Sequence, residues 1–259
     1  MTLAGDAHVE ADGVHFDGDG DYVSFPTFDY YDAKPGKQTG DFGSDSPSFT
    51  ISMWASTDVC DPADPTPSVF GYVFSHNQDS DSHPLAADNS NINIYQGCAN
   101  GGYMRFVFVG ANGFASYDVP FQMLVEGGSL EDVTFAQFGF TFSGNSITMY
   151  VNGLQLMYDF QLAAGPASIA MGAVSGPAWP NSAVQNGQVN LMNLNNGAGL
   201  GRFNLAGDIF VGGRGDLDAD RFYTGAITGL QIFTDGASAA DFQCICARSS
   251  TGSKVFALL

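Results

Sequence analysis

The stretch Ser146-Ile147-Thr148-Met149-Tyr150-Val151-Asn152-Gly153-Leu154-Gln155-Leu156-Met157-Tyr158 sets an Asn-Gly dipeptide between two apolar-rich runs. Asn and Gly tolerate positive φ at both central positions of a two-residue turn, and that backbone matches the twist of paired strands. The stretch therefore reads as a tight antiparallel hairpin. A second turn, Ser143-Gly144-Asn145, precedes it, so three consecutive antiparallel strands meet here.

Outward from this hairpin the same rhythm repeats. Strand-length apolar or alternating runs fall at 15–16, 21–25, 49–55, 69–75, 91–95, 103–109, 115–119, 134–142, 146–151, 154–159, 208–211 and 224–233, each fenced by Gly, Asp, Asn or Pro. Only 238–244 reads as a short helix. The best helix formers are scarce, whereas the chain carries 33 Gly and 22 Phe. The expected fold is an all-β antiparallel sandwich. With 259 residues and 44% hydrophobic content, the chain suffices for one such domain.

The loops are unequal. Segments 31–48, 57–68 and 76–90 are polar, and Pro62, Pro65 and Pro67 stiffen the second. Segment 163–201 is longest and rich in Gly, Ala, Asn and Pro, with apolar fragments at 168–174 and 188–194. Ordered domains seldom hold a structureless loop of that length, so it reads as an insertion carrying an extra hairpin.

Eight Lys and Arg face 27 Asp and Glu, for a formal net charge of −19. Such a surface repels nucleic acid and anionic lipid. Glu10, Glu126 and Glu131 are the only glutamates, so the acidity is nearly all aspartate, whose short carboxylate suits turns and loop-borne hard cations. No apolar run approaches the roughly 18 residues that a membrane span needs, which argues against membrane insertion. Residues 1–10 show neither a basic nor an apolar leader region.

The four cysteines, Cys60, Cys98, Cys244 and Cys246, allow three fully paired connectivities. Cys60 and Cys98 both fall in loops and are able to meet. Cys244 and Cys246 are too close to bridge each other comfortably. The separation of 60 and 98 lacks the short paired spacing of a four-cysteine zinc site.

Four blocks, in order, resemble the LamG-like jelly roll of the concanavalin A-like lectin and glucanase superfamily. The first, Val14-His15-Phe16-Asp17-Gly18-Asp19-Gly20-Asp21-Tyr22-Val23, is similar to the family's opening hairpin. The second, Phe49-Thr50-Ile51-Ser52-Met53-Trp54, is similar to its strand with a buried Trp, which makes Trp54 an expected core residue. The third is the Tyr150-Val151-Asn152-Gly153 hairpin. The fourth runs from Ile209-Phe210-Val211-Gly212-Gly213-Arg214 through Phe222 to Phe233 and on to Asp241-Phe242, resembling the closing strands and terminal helix. Within it Gly225 is expected to let a strand approach its neighbour, with Ile227, Leu230 and Ile232 filling the core. Thr228-Gly229 departs from the acidic pair that family members often carry.

The superfamily includes hydrolases and lyases. Retaining hydrolysis needs two carboxyls about 5–5.5 Å apart, which on a strand means acids two residues apart on one face. Glu126 and Glu131 lie in a Gly-rich turn and Glu10 in the N-terminal tail, so that arrangement is missing. A lyase wants a His/Tyr pair with Arg and Asn or Gln on a sheet, and His8, His15, His76 and His83 read as terminal, loop-borne or beside the Asp turn. No nucleophile-elbow pattern supports a Ser-His-Asp triad. A non-enzyme is expected.

Calcium suits the Asp-rich turns better, since hard cations take several loop oxygens. Asp17, Asp19 and Asp21 alternate with glycines, and Asp216, Asp218 and Asp220 repeat the one-on, one-off spacing, with Asp79 and Asp81 a shorter pair. Neither triplet follows the helix–loop–helix calcium pattern, because Tyr22 and Arg221 stand at its glycine position. LamG-like domains often hold calcium on the sandwich rim, so the resemblance implies these aspartates as metal ligands. Arg214-Gly215-Asp216 spells an adhesion tripeptide, a weak three-residue match. Trp179, in the insertion, offers an indole for stacking on a sugar.

The expectation is a secreted, non-catalytic, lectin-like module that recognises a glycan or an extracellular protein, with loop-bound Ca²⁺. The alternative is a structural or interaction subunit whose insertions dock partner subunits without binding sugar.

Overall fold

The computed structural model describes residues 1–26, 39–40, 48–56, 70–76, 91–98, 102–110, 113–120, 124–125, 128–129, 135–143, 146–155, 184–185, 188–190, 203–204, 208–233 and 256–257. The expected helix at 238–244 lies outside these residues.

The strands form two main antiparallel sheets. One is seven-stranded, in the order Thr2–Ala4, Tyr22–Phe25, Ile209–Val211, Gly71–His76, Asn91–Gly97, Tyr103–Gly110, Gly113–Pro120. The other is larger, in the order Val184–Gln185, Gln188–Asn190, Ser146–Val151, Phe135–Ser143, Ser48–Ser56, Thr224–Phe233, Gly13–Asp17, His8–Glu10. Leu154–Gln155 pairs with Ser146–Val151, and Phe256–Ala257 with Thr224–Phe233. The late strand Thr224–Phe233 lies between Ser48–Ser56 and the early strand Gly13–Asp17. The two ends of the chain are thereby locked together by ladder hydrogen bonds.

The Asn152-Gly153 hairpin forms as its residues dictate. Asn152 and Gly153 have φ of 50° and 77°. The Asn152 side-chain oxygen accepts from the Gln137 amide at 2.9 Å, while the Asn152 amide donates to the Gln137 carbonyl at 2.9 Å. The turn is thus tied to the next strand as well as closed on itself. Within the segment expected to be an insertion, Val184–Gln185 and Gln188–Asn190 pair as a hairpin that extends the sheet beside Ser146–Val151.

Alternation of side chains on the strands builds the core. Phe49, Ile51, Met53 and Ala55 face inward from one sheet, and Ile92, Ile94, Met104, Phe106 and Phe108 from the other. Phe49 stacks on Phe142 at 5.1 Å, and Phe140 meets Phe106 and Phe108 of the facing sheet edge-on at 6.3 and 4.9 Å. Those ring geometries add to the area they bury.

Trp54 corrects an expectation. It is 38% exposed, because parity puts it with Thr50, Ser52 and Ser56 on the outer face, opposite the inward Phe49, Ile51, Met53 and Ala55. There it stacks on Phe135 at 6.5 Å. Its neighbour is a β-bulge. The register with Thr224–Phe233 shifts between Thr228 and Gln231, and Gly229 takes φ of 57°. Glycine fits that bulge without steric strain. Gly225, at φ of 132°, makes the expected close approach, since a Cβ there would overlap Ser56 Oγ. Ile227, Leu230 and Ile232 are buried as expected.

Two histidines also lie differently from expectation. His8 belongs to the edge strand His8–Glu10, paired directly with His15. His76 is buried at the end of Gly71–His76, in register with the core residues Ile92 and Ile209.

Candidate functional site

The first acidic turn follows Gly13–Asp17 and leads into Tyr22–Phe25. Buried Asp21 braces it, with Oδ1 accepting the Asp6 amide at 2.7 Å and Oδ2 the Asp17 amide at 3.0 Å. Asp17 Oδ1 accepts the Asp19 amide at 2.7 Å. Carboxylate oxygens of Asp6, Asp17 and Asp21 come within 4.8 Å of one another. Asp6, which sequence spacing did not suggest, thus replaces Asp19 in the cluster. The charge of Asp17, then that of Asp21, raises the pKa of the Asp6 carboxyl above its ordinary value. A hard cation would relieve that repulsion, and the spare lone pairs of the three carboxylates fit one.

The second triplet is arranged otherwise. Arg214 is 1% exposed, and its Nε and Nη2 donate to the two oxygens of Asp216 at 2.6 Å each. Nη2 also donates to Asp218 Oδ2 at 2.9 Å, while Asp218 Oδ1 accepts the Asp220 amide at 3.2 Å and caps the turn Ala219–Arg221. The oxygens of Asp216 and Asp218 therefore answer an arginine and the backbone amides of Asp218 and Asp220, the positive charge coming from inside the loop. Because Arg214 is buried, the Arg214-Gly215-Asp216 tripeptide is not displayed.

Arg214 also starts a row of rings and guanidiniums across the outer face of the seven-stranded sheet. Its Cζ lies 5.5 Å from the centre of the Tyr72 ring, and Tyr72 stacks on Tyr95 at 4.9 Å. Arg105 lies over Tyr95 at 5.8 Å and over Tyr103 at 4.9 Å, and donates to Tyr95 Oη at 3.3 Å. Phe70 meets Tyr95 edge-on at 5.2 Å and carries Arg221 over its own ring at 5.2 Å. Cross-strand register creates the row, since Tyr72, Tyr95 and Arg105 are direct neighbours on adjacent strands. Burial raises the Tyr72 hydroxyl to about 12, partly opposed by Arg214. Phe70, Tyr95, Arg105 and Arg221 are half-buried, so each retains a solvent-facing part. His76, on the strand of Tyr72, faces the core, so it does not join this face.

The third cluster sits on the N-terminal hairpin. His15 Nε2 is 2.8 Å from Asp12 Oδ1 and 3.8 Å from Glu10 Oε2, and His8 Nε2 is 3.0 Å from Glu10 Oε1. The hydrogen bond from His15 lowers the pKa of Asp12, and that with Glu10 raises the pKa of His8. Sequence reading missed this cluster because the edge strand has no apolar alternation. Trp179, Asp79 and Asp81 lie outside the described residues. Cys98 is disulfide-bonded, to a partner outside them.

An all-β sandwich of two antiparallel sheets is the class that this architecture defines. No family model matches the sequence, and no curated protein matches it. Among solved structures the chain is similar to the botulinum neurotoxin serotype D binding domain, with a TM-score of 0.56 and 12% identity over 94% of this chain and 44% of that one. It spans less than half of that toxin chain. It is also similar to the native heptameric SAP-like pentraxin from Limulus polyphemus (TM-score 0.41, 12% identity, 91% of this chain and 90% of that one). A further similarity is to CBM40 of the Ruminococcus gnavus IT-sialidase (TM-score 0.45, 10% identity, 90% and 96%). These likenesses are of fold alone.

Proposed function

We propose that the chain is a secreted, non-catalytic, lectin-like module of the LamG-like type that recognises a glycan or an extracellular protein. The half-buried members of the row, Phe70, Tyr95, Arg105 and Arg221, carry the reading, with buried Arg214, Tyr72 and Tyr103 backing them. Aromatic faces accept the apolar face of a sugar ring, and arginines offer forked donors to hydroxyls and carboxylates. Arg105 and Arg221 are two of only 8 basic residues, gathered on one face of a chain with 27 acidic ones. The module is one domain with an insertion at 163–201, whose Trp179 adds a stacking surface. Calcium is held at the rim by Asp6, Asp17 and Asp21. The Cys98 disulfide supports an oxidising, extracellular or secretory-lumen setting. The inward orientation of His76 supports the non-catalytic reading.

A glycan array and calorimetry, run with Ca²⁺ and with EGTA, test this. Tyr95→Ala and Arg105→Ala are each expected to weaken a glycan hit about tenfold, a loss of roughly 1.4 kcal/mol. Trp179→Ala tests the insertion in the same assay. A blank array in both conditions favours an interaction subunit whose insertion docks other proteins. A melting curve unchanged by saturating chelator removes calcium from the proposal. Reducing-sugar release or unsaturated products from acidic polysaccharides would overturn the non-catalytic reading.

A further inference from the structure

The hairpin of His8–Glu10 and Gly13–Asp17 closes on the two residues Ala11 and Asp12, with Glu10 opposite Gly13. His8 and His15 are directly opposed, so their side chains share a face, and their rings stack at 5.6 Å. Glu10, two residues from His8, lies on that face too. Its Oε1 faces Nε2 of His8 at 3.0 Å and its Oε2 faces Nε2 of His15 at 3.8 Å, with Asp12 Oδ1 2.8 Å from the same His15 nitrogen. The donor atoms of Glu10, Asp12 and His15 lie within 4.8 Å of one another.

The tautomer of His8 sharpens the point. Its Nδ1 contacts the Asp6 carbonyl at 3.3 Å, and a carbonyl only accepts, so Nδ1 carries the hydrogen. In neutral His8 the lone pair is then on Nε2, pointing at a carboxylate. Two lone pairs 3.0 Å apart repel unless a cation lies between them. That cation is either a proton or a metal ion.

We propose that this hairpin binds a divalent transition-metal ion of the zinc type through Nε2 of His15 and the carboxylates of Glu10 and Asp12, with Nε2 of His8, held at Glu10 Oε1, swinging in as the fourth donor. With zinc–nitrogen and zinc–oxygen bonds of about 2.0–2.2 Å, a tetrahedral site has nitrogen–oxygen edges of about 3.4 Å. The His15 separations of 2.8 Å to Asp12 and 3.8 Å to Glu10 bracket that edge, so small side-chain adjustments seat the ion on those three residues, while His8, whose ring stacks on His15 at 5.6 Å, joins by a larger rotation. Two imidazoles with two carboxylates favour such an ion over Ca²⁺ or Mg²⁺, which prefer all-oxygen sets. The Asp6 carbonyl on Nδ1 orients the His8 ring as outer partners of metal-bound histidines do. His8–Glu10 is the terminal strand of its sheet, so solvent reaches the site, and a bound ion would pin that edge to its neighbour.

Tag-free, chelator-treated protein is titrated with ZnCl₂ alone by calorimetry at neutral pH. One saturable equivalent is expected, weakened at least about 100-fold in the His8→Ala/His15→Ala double variant and kept in Asp208→Asn, a change at an exposed aspartate away from the hairpin. In the parent protein, the proton resonances of both imidazole rings should shift together with that equivalent, a readout independent of whether the double variant folds. The proposal is overturned by the absence of a saturable equivalent, by an unchanged isotherm in the double variant, by loss of binding in Asp208→Asn, or by histidine resonances that do not move.

Discussion

Replacing Arg214 by Met probes the loop that links the rim to the aromatic row. Met keeps an unbranched apolar stem against Tyr72 and removes the guanidinium, with its two 2.6 Å bonds to Asp216 and its 2.9 Å bond to Asp218. Breaking a fully buried ion pair by removing one partner costs about 3–5 kcal/mol. Here the carboxylate side chains are 17% and 37% exposed, so water takes up part of what the arginine leaves. The Asp218 bond is discounted to surface value, at most about 1 kcal/mol. The expected loss is then about 2–3 kcal/mol, a fall in Tm of roughly 4–12 °C for a chain of this size. Arg214→Lys keeps the charge but not the fork, and should recover less than half of the loss. Asp216→Asn is expected to cost a similar amount, and a cycle with Arg214→Met should show coupling of about 1–3 kcal/mol. Urea unfolding and calorimetry read all three, with little change between low and high salt because the pair is largely shielded. An Arg214→Met protein within about 0.5 kcal/mol of the parent would refute the argument. So would restoration of the variant by Ca²⁺, since the loop would then be an ion site and not an arginine clamp.

Two further outcomes follow from the geometry. Gly225→Ala places a methyl group against Ser56 Oγ at a φ of 132°, so urea unfolding should show a loss of at least about 2 kcal/mol, whereas a neutral result would mean that the strands part easily there. Tyr72, raised to about 12, keeps its proton in the folded state where the unfolded chain begins to lose it near the ordinary tyrosine value of 10.0. Its contribution is therefore complete below pH 10 and declines as pH rises toward 12, by on the order of 2–3 kcal/mol. Tyrosinate absorbance should show one late-titrating group that Tyr72→Phe removes, and unchanged absorbance in that variant would contradict the assignment.

Much of the fold was legible because it rests on local rules. Asn152-Gly153 announces its turn, and strand alternation announces the inward Phe49, Ile51 and Met53. The same alternation already places Trp54 outward, yet the family resemblance argued for the core. Parity was the better guide, being a constraint of the backbone itself. The departure at Thr228-Gly229 has its reason in the bulge, where Gly229 takes a positive φ beside Trp54. The candidate sites were less legible. Asp17 and Asp21 share a turn, but Asp6 reaches them only through a strand pairing that three polar-flanked residues, Thr2–Ala4, do not advertise.

From its residues alone, this chain is an acidic, aspartate-rich, helix-poor protein with antiparallel hairpins, because charge, turn chemistry and period-two alternation act over a few residues at a time. Tertiary structure alone decided that Arg214 neutralises Asp216 and Asp218, that Tyr72, Tyr95 and Arg105 form one row, and that His8 faces His15. Those juxtapositions depend on strand register, on a bulge between Tyr72 and Phe74, and on the burial that makes one guanidinium the partner of two carboxylates. No local rule of the sequence encodes a register across strands, so the chemistry of these sites appears only when the sheets close.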